Sequence, residues 1–256
     1  MGLDALNELV ALSQVDDLAE MMDQVLRIDA DVNQAFALLH RLRDSRPMQR
    51  SLSVLQADPE AKALIRSRAV MPPLDPDQLL RLPKGSLGQV FGTLIRALDY
   101  NPDFYASPEY FNNLETDADY VNYRTLATHD LHHVLTGFNF DPSGELGVIS
   151  VSVAQYGAPG LAFISWVTVL ATWMGAKTFY TQIDSESELI NSPRYKLGLI
   201  EQGMAIGDSA RPLFALDWPA LLSRDLEELR RELGVVPVRE GPASWMSRPE
   251  LMAALA

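Results

Sequence analysis

The chain has 256 residues, of which 47% are hydrophobic, and this is enough for one substantial core. Its formal net charge of −13 argues against nucleic acid as a partner, because no basic stripe is available to neutralise phosphates. The absence of cysteine excludes disulfides, Cys-ligated iron–sulfur clusters and thiolate zinc sites, although it does not select a compartment.

Residues 1–48 are predicted to form an N-terminal helical extension. Apolar residues recur there at helical spacing in 3–14, 17–28 and 31–44. No lysine or arginine precedes Arg27, which is unlike an Arg-rich transit peptide, and no basic segment leads into an apolar one as in a secretory signal. We therefore expect a cytoplasmic bacterial protein, peripheral to the inner face of the membrane.

Helical patterns continue beyond the extension. Asp58 is a natural helix N-cap, and Pro59 follows it at the first helical position, where a missing N–H costs nothing. Residues 71–86 are rich in proline and indicate a surface crossing between helices. No stretch alternates apolar and polar residues between hairpin turns, so the sequence predicts a single all-α domain.

The segment 129–145, HDLHHVLTGFNFDPSGE, is the most informative part of the chain. On a helix, His129 and His133 share one face about 5–6 Å apart at Cβ, and Asp130 flanks that face. Gly137 is placed to end the helix, and turn-forming residues then lead to Glu145. A tight reversal would return the Glu145 carboxylate to the histidine face, which predicts a divalent-metal site.

Other interpretations of these residues remain open. Histidine and aspartate are common surface charges on helices, and the HExxH metalloprotease motif has the same histidine spacing. That motif has a glutamate base where this chain has Asp130, which is one methylene shorter. His132 points about 100° away from His133, so we expect it to pack or to orient a ligand rather than to bind metal. His40 stands alone and is expected on a helix surface.

Residues 146–176 contain no charged side chain. Gly157, Pro159 and Gly160 interrupt this run, and its second half is shorter than the ~20 apolar residues of a transmembrane helix. One interpretation is a buried central helix. The other is a helix that lines an apolar channel or faces lipid through three aromatic residues, Phe163, Trp166 and Trp173.

At the histidine segment the chain resembles the coenzyme Q (ubiquinone) biosynthesis protein four family, whose signature is HDxxH, eleven residues and Glu. Further blocks are similar to that family: 82–91 (LPKGSLGQVF), 117–138, 144–155 and 206–235. The resemblance covers roughly residues 50–236. It implies a division into an extension (1–48), a family domain (49–238) and a C-terminal tail (239–256).

The resemblance implies chemistry on a polyprenylated hydroxybenzoate, with loss of the ring carboxylate at C1 and a hydroxyl installed in its place. The residues that would act through one bound divalent ion are His129, Asp130, His133 and Glu145. We expect zinc, and iron, manganese or cobalt would suit the same ligands. Because the family's substrates carry long polyprenyl tails, the resemblance also favours the apolar lipid-accommodating channel.

The alternative is a non-catalytic scaffold that binds prenyl lipid and organises other ubiquinone biosynthesis enzymes. A site with two carboxylates and no cysteine is chemically closer to a catalytic centre than to a structural zinc site, which favours the enzyme. Arg124 is a candidate to pair with a substrate carboxylate, although a surface ion pair is the more ordinary role. Peripheral membrane contact and a homodimer are further expectations.

Overall fold

The structure, a computed structural model, describes residues 15–28, 33–100, 114–175 and 185–256. In these residues the chain forms fifteen α-helices: α1 Val15–Leu26, α2 Asn33–Arg41, α3 Arg46–Ala57, α4 Pro59–Ser67, α5 Pro76–Leu79, α6 Leu87–Ala97, α7 Asp117–Ala127, α8 His129–Thr136, α9 Pro142–Tyr156, α10 Pro159–Gly175, α11 Glu186–Ile190, α12 Pro193–Ser209, α13 Trp218–Leu221, α14 Leu226–Leu233 and α15 Pro249–Leu255. The all-α prediction is confirmed. The helix predicted for 3–14 lies outside the described residues.

Local chemistry sets several helix ends as the sequence predicts. The Asp58 carboxylate accepts hydrogen bonds from the backbone N–H groups of Glu60 and Ala61, both at 2.8 Å, and so begins α4. Gly137 and Gly157 end α8 and α9 in the left-handed conformation, with φ of 83° and 68°. These caps satisfy backbone groups that a helix end would otherwise leave without partners.

The centre of the fold is the pair α9 and α12, which pack along their length and run in the same direction. Their backbones approach closely because glycines face each other. A Cβ added to Gly203 would lie 2.1 Å from the carbonyl oxygen of Gly147. The α9 half of the charge-free run is therefore the buried central helix that one interpretation predicts, with Val148 and Val151 fully buried.

The other half of the run, α10, has two different sides. Its inner side packs against α1 and α2, where Phe163 contacts the buried cluster of Val25, Leu38 and Val167. Its outer side exposes large apolar residues, among them Trp166 at 68% and Met174 at 73%. Burial on all sides, predicted as one alternative, is wrong for this helix. None of the described helices has the length and hydrophobicity to cross a bilayer.

The C-terminal residues fold back over the middle of the chain. Helix α15 packs against α6, and an isolated β-bridge joins Ser244 to Phe138, just beyond the end of α8. The Arg248 guanidinium donates to the Asp141 carboxylate at 2.8 Å. The predicted tail 239–256 is thus in contact with the histidine segment, while the division of the chain into three parts stays a prediction.

Candidate metal centre

Helix α8 carries three of the four predicted ligands, and all eight of its residues are buried. Thr128 lies between the end of α7 and the start of α8, so that α8 is a short separate helix. It ends at Gly137. The spacing of four brings His129 and His133 together on one face. Their Nε2 atoms are 3.1 Å apart, and the ring planes meet at 85°.

Glu145 reaches this face from the first turn of α9. Asp141 caps that turn by accepting from the N–H groups of Ser143 and Gly144, at 3.1 and 2.9 Å. One Glu145 carboxylate oxygen lies 2.7 Å from His129 Nε2, and the other lies 3.1 Å from His133 Nε2. The reversal at 137–144 therefore brings the carboxylate to the histidine pair, as its turn residues predict.

Asp130 completes a group that could hold a metal ion. One potential ligand atom from each of His129, Asp130 and His133 lies within 4.8 Å of the other two. One Asp130 oxygen, Oδ2, accepts a hydrogen bond from the Tyr100 hydroxyl at 3.1 Å.

The hydrogen bonds of His133 suit a metal ligand. Its Nδ1 faces the backbone oxygen of Phe138 at 3.3 Å, and a carbonyl can only accept, so Nδ1 carries the proton. In the neutral ring this leaves the Nε2 lone pair facing the centre, which is the tautomer that metal-binding histidines need. The donor set of imidazole nitrogens and carboxylate oxygens fits a divalent ion.

The electrostatics of the cluster follow from burial and mutual attraction. Burial raises the pKa of Asp130 to about 6, and the neighbouring imidazoles oppose that rise. Burial would lower the pKa of His129, but the Glu145 charge and hydrogen bond outweigh it and the pKa is raised. Desolvation would raise the pKa of Glu145, but the two imidazoles hold it well below its usual range.

In the part of the chain that the structure describes, the centre is buried around His133 and reaches solvent beside Glu145. The His133 side chain is 0% exposed, whereas 44% of the Glu145 side chain is exposed. On the closed side, the Phe140 ring stacks against the His133 imidazole, with ring centroids 4.5 Å apart. A molecule approaching from solvent would therefore meet the centre beside Glu145.

The end of α8 is held by residues about a hundred positions further along the chain. Five successive carbonyls, those of residues 133–137, each accept a hydrogen bond from the segment 230–245. The donors are Arg230 Nη2 to Val134 (2.7 Å), Arg230 Nε to Leu135 (2.9 Å), Val238 N to Thr136 (2.8 Å), Trp245 N to Gly137 (3.1 Å) and Trp245 Nε1 to His133 (3.1 Å). These groups are normally the unsatisfied end of a helix.

Sequence reasoning missed Arg230 and Trp245, because no local pattern links either residue to α8. It also misplaced Arg124, for which a surface ion pair is wrong. Arg124 is buried, and its guanidinium donates to the carbonyls of Phe214 (3.3 Å) and Leu216 (2.6 Å). The Arg124 guanidinium, which the sequence offered as a partner for a substrate carboxylate, is thus already hydrogen-bonded to the protein backbone.

The remaining predicted residues lie away from the centre. His132 is buried against Trp218, with ring centroids 5.2 Å apart, and burial lowers its pKa to about 3. His40 is exposed on α2, as expected. Phe163 packs inward, whereas Trp166 and Trp173 are exposed on α10.

Residues 29–239 match the family described as coenzyme Q (ubiquinone) biosynthesis protein Coq4. The chain belongs to this family. Curated relatives named ubiquinone biosynthesis protein COQ4, mitochondrial, include those of Eremothecium gossypii (29% identity over 164 residues) and Yarrowia lipolytica (28% over 182 residues). These matches cover 64% and 70% of this chain but 46% and 62% of the relatives, so the chain spans about half the length of the curated relatives it matches.

A crystal structure from Nostoc punctiforme PCC 73102, provisionally named a ubiquinone biosynthesis protein, has the same fold. The TM-score is 0.67 at 23% identity, and the match covers 86% of this chain and 97% of the other.

The expectation of a cytoplasmic bacterial protein at the inner face of the membrane is contradicted by the relatives. Their names place them in mitochondria, in yeasts and in Caenorhabditis elegans alike. The absence of lysine and arginine before Arg27 therefore does not by itself establish a compartment.

Proposed function

We propose that His129, Asp130, His133 and Glu145 bind one divalent metal ion, and that this centre acts on the ring of a polyprenylated hydroxybenzoate in ubiquinone biosynthesis. The observation that carries the proposal is the meeting of two imidazole Nε2 atoms and both Glu145 oxygens within 2.7–3.1 Å. We infer the pathway from membership of the family, and we infer metal-assisted chemistry from the imidazole and carboxylate donors of the centre.

The reaction proposed is loss of the C1 carboxylate with hydroxylation at the same carbon. The bond from the ring to the carboxyl carbon breaks, carbon dioxide leaves, and a ring carbon–oxygen bond forms. Dioxygen is the oxidant: one oxygen atom becomes the ring hydroxyl and the other leaves as water, with two electrons from an external reductant and three protons from that reductant and solvent. When bound, the metal supplies Lewis-acid polarisation of the substrate carboxylate or phenol.

The protein residues bind and orient the substrate. The buried side of the centre, with His133 and Phe140, excludes water, and the open side beside Glu145 admits the ring. Zinc is the metal we propose for carboxylate loss alone, with a proton taking the place of the carboxyl group. Where dioxygen is used at the centre we propose iron instead, because zinc has no redox chemistry and two histidines with one carboxylate are the ligand set of non-haem iron oxygenases.

We further propose that the isoprenoid tail lies against α10. Trp166 and Trp173 are seven residues apart, so they share a face of the helix, and both are exposed. Shielding an apolar tail from water is worth ~0.8 kcal/mol per CH₂, which gives this face a physical use. The apolar channel, peripheral membrane contact and the homodimer stay predictions.

The same apolar face favours the second candidate, a prenyl-lipid-binding scaffold for other ubiquinone biosynthesis enzymes in which the metal is structural. Complementation separates the two. A strain that lacks its own homologue is supplied with the wild-type chain, with His129→Ala or with His40→Ala as the control. The catalytic proposal expects ubiquinone with wild type and control, and accumulation of the carboxylated precursor with His129→Ala. Full ubiquinone with His129→Ala at equal protein level would leave only the scaffold.

A further inference from the structure

Tyr100 is fixed in place by the way in which α6 ends. Asp99 adopts the left-handed conformation with φ of 52°, which aspartate tolerates better than most residues. The chain then turns back, so that the Tyr100 N–H donates to the Ile95 carbonyl at 2.9 Å and the Leu98 N–H donates to Leu94 at 2.9 Å. The bond from Tyr100 to Ile95 is the six-to-one bond of a Schellman motif, which fixes the backbone at Tyr100.

From this position the Tyr100 hydroxyl donates to Asp130 Oδ2 at 3.1 Å, thirty residues away in sequence. Asp130 is buried, and its ligand atom is part of the group that could hold a metal ion. A carboxylate has two oxygens. A hydrogen bond that holds one of them fixes the plane of the group and leaves the other for an ion.

We propose that Tyr100 is a positioning residue of the metal centre, which acts by orienting the Asp130 carboxylate. This inference rests on the proposed function, because it needs the ion that Asp130 would bind. Outer hydrogen bonds of this kind typically change metal affinity by ~10–100-fold when they are removed.

Tyr100 itself is half-buried. It lines an open cavity of about 310 Å³, together with Asp75, Asp77, Arg96 and Asp99. A phenylalanine at this position would keep the aromatic wall and remove only the hydroxyl, so Tyr100→Phe tests what the hydroxyl contributes.

The control is Tyr120→Phe. Tyr120 is buried in α7, and its hydroxyl donates to the Ala69 carbonyl at 2.8 Å, so the control also loses a hydrogen bond that a tyrosine hydroxyl donates. It differs in that its partner is a backbone carbonyl outside the metal centre. A purely structural effect of losing a tyrosine hydroxyl would appear in both variants.

The experiment is a Co²⁺ titration of the full chain, followed by the visible absorption of the bound ion. We expect Tyr100→Phe to weaken Co²⁺ binding by about tenfold or more and to shift the spectrum, whereas Tyr120→Phe keeps the wild-type affinity. In an Asp130→Ala background, Tyr100→Phe should have no further effect, because the hydroxyl acts through Asp130.

Three results would overturn the proposal. Wild-type affinity and spectrum in Tyr100→Phe would show that the hydroxyl does not position a ligand. An equal loss of affinity in the Asp130→Ala background would show that it does not act through Asp130. No Co²⁺ binding by the wild-type chain would remove the proposed metal centre itself, and this result is distinct because it appears before any variant is compared.

Discussion

The indole N–H of Trp245 donates to the backbone carbonyl of His133 at 3.1 Å, across 112 residues of sequence. This bond ties a predicted metal ligand to the C-terminal segment, and the buried Arg230 guanidinium does the same for the next two carbonyls of α8. The short ligand helix is therefore held from both sides, by α9 through Glu145 and by the chain around Trp245. Such outer support is what keeps a metal centre in a fixed geometry.

Trp245→Phe should lower the free energy of unfolding by about 1 kcal/mol, the usual net value of one hydrogen bond. The cost stays small because the His133 carbonyl also accepts from the Gly137 N–H at 2.9 Å and is not left without a partner. Chemical denaturation measures the change. The matched control is Trp218→Phe, since the Trp218 indole N–H is buried with no partner among the described residues. A larger loss in the control than in Trp245→Phe would contradict the account.

Two glycines of α12 should respond to alanine in opposite directions. Gly203→Ala places a Cβ against the Gly147 backbone and should cost about 1–3 kcal/mol of stability, because α9 and α12 must move apart. Gly198→Ala meets nothing within 4 Å and should stabilise the chain by up to about 1 kcal/mol through helix propensity. Thermal unfolding of the Gly203→Ala and Gly198→Ala variants measures both changes in stability. Equal changes in the two variants would show that the helices are not in close contact at Gly203.

Parts of this structure follow from short stretches of sequence. The N-cap at Asp58, the helix ends at Gly137 and Gly157, and the meeting of His129 with His133 depend on neighbours within a few residues, so residue type and spacing predict them. The resemblance to a known family made the assignment of Glu145 specific.

Other parts depend on contacts between distant segments and could not be predicted in this way. Tyr100 meets Asp130, and Trp245 meets His133, only because the helices pack as they do. Arg124 looks like a surface charge in sequence, yet it is buried because two carbonyls from residues 214–216 accept its hydrogen bonds. No periodicity in the chain indicates these pairs.

The exposed face of α10 should bind isoprenoid through its tryptophans. Trp166→Ser should weaken binding of a prenyl quinone roughly tenfold, because it removes apolar surface that the lipid would cover. The shift in melting temperature on adding the quinone measures binding. Val54→Ser, at an exposed apolar position on α3, is the control and should bind as wild type does. Unchanged binding in Trp166→Ser would place the lipid elsewhere.

Metal affinity should fall as the pH is lowered between about pH 8 and pH 5. A proton on His129 competes with the ion, and its raised pKa means that this competition begins above the ordinary histidine value of 6.5. Each displaced proton should cost about tenfold in affinity per pH unit. The folding stability of the metal-free chain should depend on pH in the opposite sense. The contact of protonated His129 with Glu145 stabilises the fold at low pH, and this stabilisation is lost as the pH rises through the raised pKa of His129. An affinity that does not vary over this range would exclude His129 as a ligand.

The metal content of protein purified without oxygen tests the central claim most directly. Wild-type chain and the control His40→Ala should each carry about one divalent ion per chain, as expected for a single centre. His133→Ala and Glu145→Ala should lose most of that ion, while the far-UV helical signal persists. A full complement of metal in both of these variants would contradict the account, because the ion would then be bound at some other place.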